Sequence, residues 1–312
     1  VLFRSTETRC EVTESTAILQ LFRPSLTYSW SSERGRPTTA ILAFVRHPTG
    51  KYGLDAAPRT MTGETMDITP LSGALGAEIT GIDLAALGDD EFTRLRETLT
   101  DYGVIVIRDQ SLTPQQQLTF VERFGPIHFH PHVKGLPELP QVMEILKTET
   151  DVTNFGAGWH TDQRFLPRPA MATCLYALEV PESGGDTLFA CMRDGYRSLS
   201  EGMRRTLAML RTLNLSVAAQ MSRRGQSSGT TFAAMRTQKA PIDEAAAEHP
   251  LVCRHPESGD TALYLGIHTQ QFAGWTEAES RPLIDYLLAH LTRPENTDRK
   301  STRLNSSHQI IS

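Results

Sequence analysis

The sequence predicts a mainly β fold with flanking helices (α+β), a jelly roll or related double sheet. Three observations point there. Short apolar runs bounded by Gly and Pro outnumber the helical stretches, no regular strand–helix–strand alternation recurs, and no G-x-G-x-x-G occurs. No internal repeat is visible.

The elements follow in order. Ile68 to Ile82 reads as short strands around Gly73 and Gly76. Asp89 or Asp90 caps a helix running to about Asp101, with Gly103 just past its end. Val104–Ile107 is a β-branched run and so a buried strand. Thr113, Pro114 and Gln116 form a capping box that starts a helix ending at Gly125. Gln141–Leu146 and Ala170–Leu178 are strands, Pro181–Gly185 a turn and Thr187–Ala190 a short strand. Ser200 caps a helix through about Arg211, and Asn214–Ala218 returns as a strand. Gln220–Glu248 lacks a period and reads as a lid-like insertion. Val252–Arg254 and Ala262–Leu265 flank a Pro256–Gly259 turn as a hairpin. Thr276 with Glu279 starts a last helix, on which Leu283, Ile284, Leu287, Leu288 and Leu291 make one apolar stripe.

The chain has 312 residues, a net charge of −5, 39 % hydrophobic and 21 % charged residues, which suits a globular core. Mild acidity without a basic stripe argues against nucleic acid. No apolar run reaches the ~18 residues of a membrane span. The four cysteines, Cys10, Cys174, Cys191 and Cys253, form no C-x-x-C, which fits a reducing cytoplasm.

The two ends differ from the middle. Residues 1–60 carry no sustained period. Glu7, Glu11 and Glu14 speak against a transit peptide. Val1–Ser5 and the stretch from Asp298 to Ser312 resemble translated adapter sequence. The expected division is a leader at 1–60, a domain at 61–297 starting at Met61 or Met66, and a tail at 298–312, both ends foreign to the fold.

The chemical signal is Gly158-Trp159-His160-Thr161-Asp162. On an extended segment, residues two apart point to one side, so His160 and Asp162 can bind one metal. With a second histidine they would form the facial triad of non-haem Fe(II), which leaves positions open for substrates. A bare H-x-D is common by chance, and a satisfied pair is its more frequent origin. A second cluster, His128, His130 and His132, would also share one side by alternation and suits zinc, although Pro131 interrupts it. That cluster supports an alternative class, a cupin-type hydrolase or isomerase. A non-catalytic β-helix binding module is a third class, disfavoured by retention of both His160 and Asp162.

Context decides the weight. Trp159-His-Thr-Asp162 is followed by an apolar strand and then Gly184-Gly185-Asp186-Thr187-Leu-Phe189. Upstream stand Gly76-Ala-Glu-Ile-Thr-Gly-Ile-Asp83, Tyr102-Gly-Val-Ile-Val-Ile-Arg108 and Phe124-Gly-Pro-Ile-His128. Downstream are His255-Pro-Glu-Ser-Gly259 and Leu263-Tyr264. Together, over roughly residues 66–297, these resemble the taurine dioxygenase family of Fe(II)- and 2-oxoglutarate-dependent oxygenases. The resemblance implies a double-stranded β-helix and a reaction with O2 that hydroxylates a small organic acid, releasing succinate and CO2. It implies Fe(II) on His160 and Asp162, Thr187 bonded to 2-oxoglutarate, and His130 and His268 lining the substrate pocket. Alone, Thr187 would read as an ordinary strand threonine. Trp159 packs beside the metal loop, and Asn154 reaches the substrate or serves a turn. Arg223 and Arg224 meet an anionic substrate or solvent. Sulfonates, sulfate esters and aryloxy acids are the substrate classes implied, and a homo-oligomer is compatible.

One departure stands out. The family pattern expects a distal histidine and an arginine after the Thr276–Thr292 helix. Neither follows, and the setting of His308 does not match. The expectation is a chain short of its third ligand and its closing strands, poorly folded or inactive.

Overall fold

The computed structural model describes residues 2–5, 38–44, 66–130, 133–145, 159–177, 187–223, 246–297 and 308–311. The expected Pro181–Gly185 turn and most of the lid-like insertion lie outside them, as do Asn154, His132 and Arg224. The strands are β1 Leu2–Ser5, β2 Thr38–Phe44, β3 Asp67–Pro70, β4 Ala77–Thr80, β5 Val104–Gln110, β6 Met143–Ile145 and β7 Ala172–Ala177. They continue with β8 Thr187–Ala190, β9 Arg211–Leu215, β10 Ala246–Pro250, β11 Val252–Arg254, β12 Thr261–Leu263, β13 Thr269–Phe272 and β14 His308–Ile311. The helices are α1 Asp89–Tyr102, α2 Pro114–Glu122, α3 Met192–Arg197, α4 Glu201–Leu207, α5 Val217–Arg223 and α6 Glu277–Leu291.

Strands and helices mix as the α+β reading expects. A seven-stranded sheet runs β3-β4-β5-β2-β7-β14-β6, antiparallel except for the parallel β4–β5 pair. A three-stranded antiparallel sheet runs β10-β9-β13, β11 and β12 form a hairpin, and β8 pairs with β1. The lanes beside β7 are taken by the backbones of β2 and β14. These two strands, with β1, come from the stretches read as leader and tail. Such lanes recruit main-chain groups whatever side chains a segment carries.

Two cores hold the fold. Val104 to Ile107 are all buried, as a continuous apolar run requires when both strand faces are covered. Ile105 and Ile107 join Ile79, Leu95, Leu99 and Phe120 in a core under α1 and α2. The second core gathers Leu207, Leu251, Leu263, Leu265 and Phe272 against Ile284, Leu287 and Leu291 of the α6 stripe. Each such side chain contributes about 1.5–3 kcal/mol by leaving water.

The helix caps show where local chemistry overrides the reading. Thr113 and Thr276 cap α2 and α6 with reciprocal bonds to Gln116 and Glu279, as expected. α1 starts from Gly88 rather than Asp89 or Asp90, because the Glu91 carboxylate accepts from Gly88 N at 2.9 Å. Arg123 ends α2 ahead of Gly125. Ser200 caps α4, but that helix stops at Leu207, since Arg211 onward pairs with Pro250 in β9. The strand expected at Asn214–Ala218 ends at Leu215. Ser216 Oγ accepts from Ala219 N at 3.1 Å and starts α5, which outweighs the β preference of Val217.

Ion pairs clamp the β11–β12 hairpin to α1 and α3. Glu257 accepts from Arg96 Nη2 at 2.8 Å and Thr100 Oγ1 at 3.0 Å. Asp260 meets Arg197 Nη2 at 2.6 Å and Arg193 Nη1 at 3.3 Å. Burial alone would raise the Glu257 carboxyl. The hydrogen bond and charge of Arg96, with the Thr100 hydroxyl, outweigh it and hold the group below its ordinary value. A depressed folded value means that the stabilisation is complete above the unfolded value of about 4.3 and fades as pH falls through the folded one. Glu257→Gln should therefore cost about 1 kcal/mol at pH 7. Melting curves of both proteins from pH 7 down to pH 3 should converge at the acid end, and a constant gap would contradict this account.

Candidate functional site

The donor segment is short and held along its length. Trp159 O accepts from Ile267 N at 3.0 Å, and the chain turns after Thr161, with Leu166 N donating to Gln163 O at 2.8 Å. His160 and Asp162, two residues apart, project together. His160 Nε2 stands 3.3 Å from Asp162 Oδ1, and the two side chains are 3 % and 0 % exposed. Two ligands about 2.1 Å from one metal, at a right angle, lie about 3 Å apart. The observed spacing is therefore that of neighbouring ligands on one ion. Asp162 Oδ2 is engaged elsewhere, accepting from Thr173 Oγ1 of β7 at 2.6 Å. The carboxylate thus presents one oxygen, Oδ1, toward the imidazole.

The same segment concentrates unsatisfied polar atoms. Thr161 Oγ1, Asp162 Oδ1, both amide atoms of Gln163 and Arg164 Nη1 are buried without a hydrogen-bond partner. Folded proteins tolerate few such groups, and an orphaned Asp162 Oδ1 beside the His160 imidazole is what a bound ion would complete. Gln163 also adopts φ 48°, the left-handed region that a non-glycine residue enters at a cost of about 1–2 kcal/mol. Imidazole and carboxylate donors fit Fe(II). Among the described residues, no group of three His, Cys, Asp or Glu side chains could hold a metal, so these residues supply two donors.

Around the pair stands a buried polar frame. Arg164 is fully buried, with Nε donating to Asn214 Oδ1 at 2.7 Å and Nη2 to Thr212 Oγ1 at 2.8 Å. Its guanidinium carbon lies 3.7 Å from the centre of the Tyr264 ring. Burial pushes the guanidinium down to about 10, which keeps it charged at neutral pH. His249 Nε2 sits 2.9 Å from the carbonyls of both Arg164 and Leu166, bolting the turn from below.

The structure brings His268 to this place. Its ring centre is 6.3 Å from that of His160 and 5.1 Å from that of Phe165. Its Nδ1 lies 3.1 Å from Leu215 O, and a carbonyl only accepts, so Nδ1 carries the proton. Trp159 is half-buried against the second core. Thr187 is buried at the start of β8, opposite Ser5.

His130 is buried, and its Nδ1 accepts from Val133 N at 3.1 Å. Residues 126–130 form no strand, so the alternation expected to align His128 with His130 is not built. His128 is half-buried and burial lowers its pKa. His290 of α6 is buried, with Nε2 2.9 Å from Gly195 O. A cavity of about 60 Å³ touches Thr161, Leu99, Cys191, Cys253 and Tyr264. Thr161 alternates away from its neighbours, so this cavity lies on the side of the segment opposite the donor pair.

Sequence reasoning overlooks Thr173, Gln163, Arg164, Asn214 and Thr269. The one available signal is a charged residue, Arg164, inside a stretch continued by Phe165 and Leu166.

The protein-family model described as taurine catabolism dioxygenase TauD, TfdA family matches residues 67–303. An (S)-phenoxypropionate/alpha-ketoglutarate-dioxygenase of Sphingobium herbicidovorans is 30 % identical over 242 residues, covering 73 % of this chain and 80 % of that protein. An alpha-ketoglutarate-dependent sulfate ester dioxygenase of Pseudomonas putida is 30 % identical over 250 residues, covering 75 % and 77 %. Among solved structures, a taurine dioxygenase from Burkholderia xenovorans superposes with a TM-score of 0.60 at 27 % identity, covering 79 % of this chain and 80 % of that one. The matched region contains the paired donors, the strand that pins Asp162 and the residues framing them, and the chain belongs to the TauD/TfdA family of alpha-ketoglutarate-dependent dioxygenases.

Proposed function

We propose that residues 61–297 are the oxygenase unit, a double-stranded β-helix that hydroxylates a small organic acid of the sulfonate, sulfate ester or aryloxy acid class. The observation that carries this reading is the 3.3 Å pairing of His160 and Asp162, with the second carboxylate oxygen tied to Thr173. Fe(II) with 2-oxoglutarate and O2 supplies the oxidation and releases succinate and CO2. The protein's part is positional. His160 offers its Nε2 and Asp162 its Oδ1 as neighbouring ligands, and Thr173 keeps the carboxylate from rotating. The Thr187 hydroxyl donates to the co-substrate carboxylate. His268 and Phe165 border the space beside His160, with Trp159, His130 and Asn154 as further pocket residues. Their rings exclude water from the place where the substrate C–H is held. The relatives named above act on a phenoxypropionate and on sulfate esters, which supports an anionic substrate here.

Binding tests the site directly. The two protein donors leave the other metal positions to 2-oxoglutarate and water, so anaerobic addition of Fe(II) and 2-oxoglutarate to this chain should still produce a metal-to-ligand charge-transfer band, the outcome that decides between this reading and the inactive chain expected from the sequence. His160→Ala and Asp162→Ala should abolish it. Thr173→Val, which keeps shape and removes the donor, should weaken Fe(II) binding 10–100-fold. A band that survives in Asp162→Ala would sink the assignment. The substrate class should show as the member of a panel of sulfonates, sulfate esters and aryloxy acids that perturbs this band and raises succinate formation. A panel in which simple uncharged alcohols do so equally well would refute an acid substrate.

A further inference from the structure

The donor segment is the beginning and the end of a closed circuit of contacts. From Asp162 the chain passes through the strained Gln163 to Arg164, whose Nε donates to Asn214 Oδ1 at 2.7 Å. The same oxygen accepts from Thr269 Oγ1 at 3.0 Å. Thr269 Oγ1 in turn accepts from Gly266 N at 3.3 Å. Gly266 lies flush against the donor segment: a methyl group there would stand 3.0 Å from His160 Cα and 3.3 Å from Thr161 N. The next residue, Ile267, donates its N–H to Trp159 O. The circuit thus leaves by the residue after Gln163 and returns beside His160.

The polar side chains of the circuit are buried, as is His160: Arg164 and Asn214 are 0 % exposed, Thr269 and His160 2 %. Among the described residues, Arg164 meets two neutral oxygens and a tyrosine ring, and no carboxylate. A buried cation without an anion is a poor source of stability, and an apolar residue of similar volume would generally stabilise more. What a planar guanidinium supplies is direction, since its donors fix the angle between the turn and β9. A metal site needs that. Donors must be held to within about 0.5 Å of their working geometry, and Asp162 opens a chain reversal that local bonds alone would leave loose.

We infer that Arg164, Asn214 and Thr269 are positioning residues whose circuit sets the spacing of the His160 and Asp162 donors. The inference rests on the metal-site reading above. Its action is through the backbone on both sides of the pair, distinct from the direct bond of Thr173 to Asp162.

The variant to test is Thr269→Val in the full 312-residue chain. It preserves volume and removes both hydroxyl bonds of the circuit, whereas Thr269→Ser retains them. Fe(II) affinity, read from the anaerobic charge-transfer titration with 2-oxoglutarate, should fall about tenfold in Thr269→Val and recover in Thr269→Ser. Arg164→Lys should fall likewise, because a point ammonium cannot span Asn214 and Thr212. The melting temperature of the metal-free proteins is recorded in parallel. Wild-type Fe(II) affinity in a folded Thr269→Val overturns the inference, whatever happens to the melting temperature, and assigns the circuit to stability alone. If that occurs while His160→Ala loses the band, the metal-site reading stands and only the circuit is wrong. If wild type itself gives no band, both fail together.

Discussion

The structure turns on an imidazole and a carboxylate held side by side where water does not reach. His160 and Asp162 are 3.3 Å apart and almost wholly buried, and Asp162 Oδ1 makes no hydrogen bond. A desolvated carboxylate of this kind is costly unless something positive faces it. The surrounding groups act on the pair's geometry and not on its charge. Thr173 satisfies one oxygen, His249 holds the carbonyls of the turn, and Gly266 allows the 266–269 segment to lie against His160. The arrangement holds an imidazole and a carboxylate in fixed relation, which is the geometry a cation site requires.

The elements that carry this socket come from distant parts of the chain. β7 supplies Thr173, β9 supplies Thr212 and Asn214, and β13 begins with Thr269. The clamped β11–β12 hairpin leads directly into Tyr264, the surface on which Arg164 rests. The ion pairs of Glu257 and Asp260 touch neither His160 nor Asp162. They nonetheless act on the hairpin that positions Tyr264, which links an exposed electrostatic cluster to the buried frame.

What the sequence makes legible follows the range of each interaction. The donor pair can be read because side-chain direction two residues apart on an extended chain is a local property. The caps at Thr113 and Thr276 can be read for the same reason, as can the α6 stripe. The buried strand at β5 shows through its unbroken β-branched run. Strand β9 and helix α5 are misplaced because the pairing of Arg211 with Pro250 is a long-range contact, and the use of Ser216 as a cap competes with the β preference of the adjacent Val217. The frame around the site cannot be read at all. Arg164 reaches Asn214 across 50 residues and Thr269 reaches it across 55, and nothing in either local stretch announces the partner.

The cost of the orphaned atoms explains why so much scaffold surrounds so small a segment. An unsatisfied buried polar group costs about 1–3 kcal/mol, and a domain's whole margin is about 5–15 kcal/mol. Five such atoms on Thr161 to Arg164, with a left-handed Gln163 among them, would consume much of that margin if the segment were free to choose. A free loop would instead turn these groups to water. It is kept from doing so by the strands and the buried hydrogen bonds of Arg164, Asn214 and Thr173, all of which would have to break first. The strain is therefore held by the fold. A ligand that binds only the folded state at 100 times its dissociation constant returns about 2.7 kcal/mol. Any ligand taken up by this segment therefore adds to the stability of the fold.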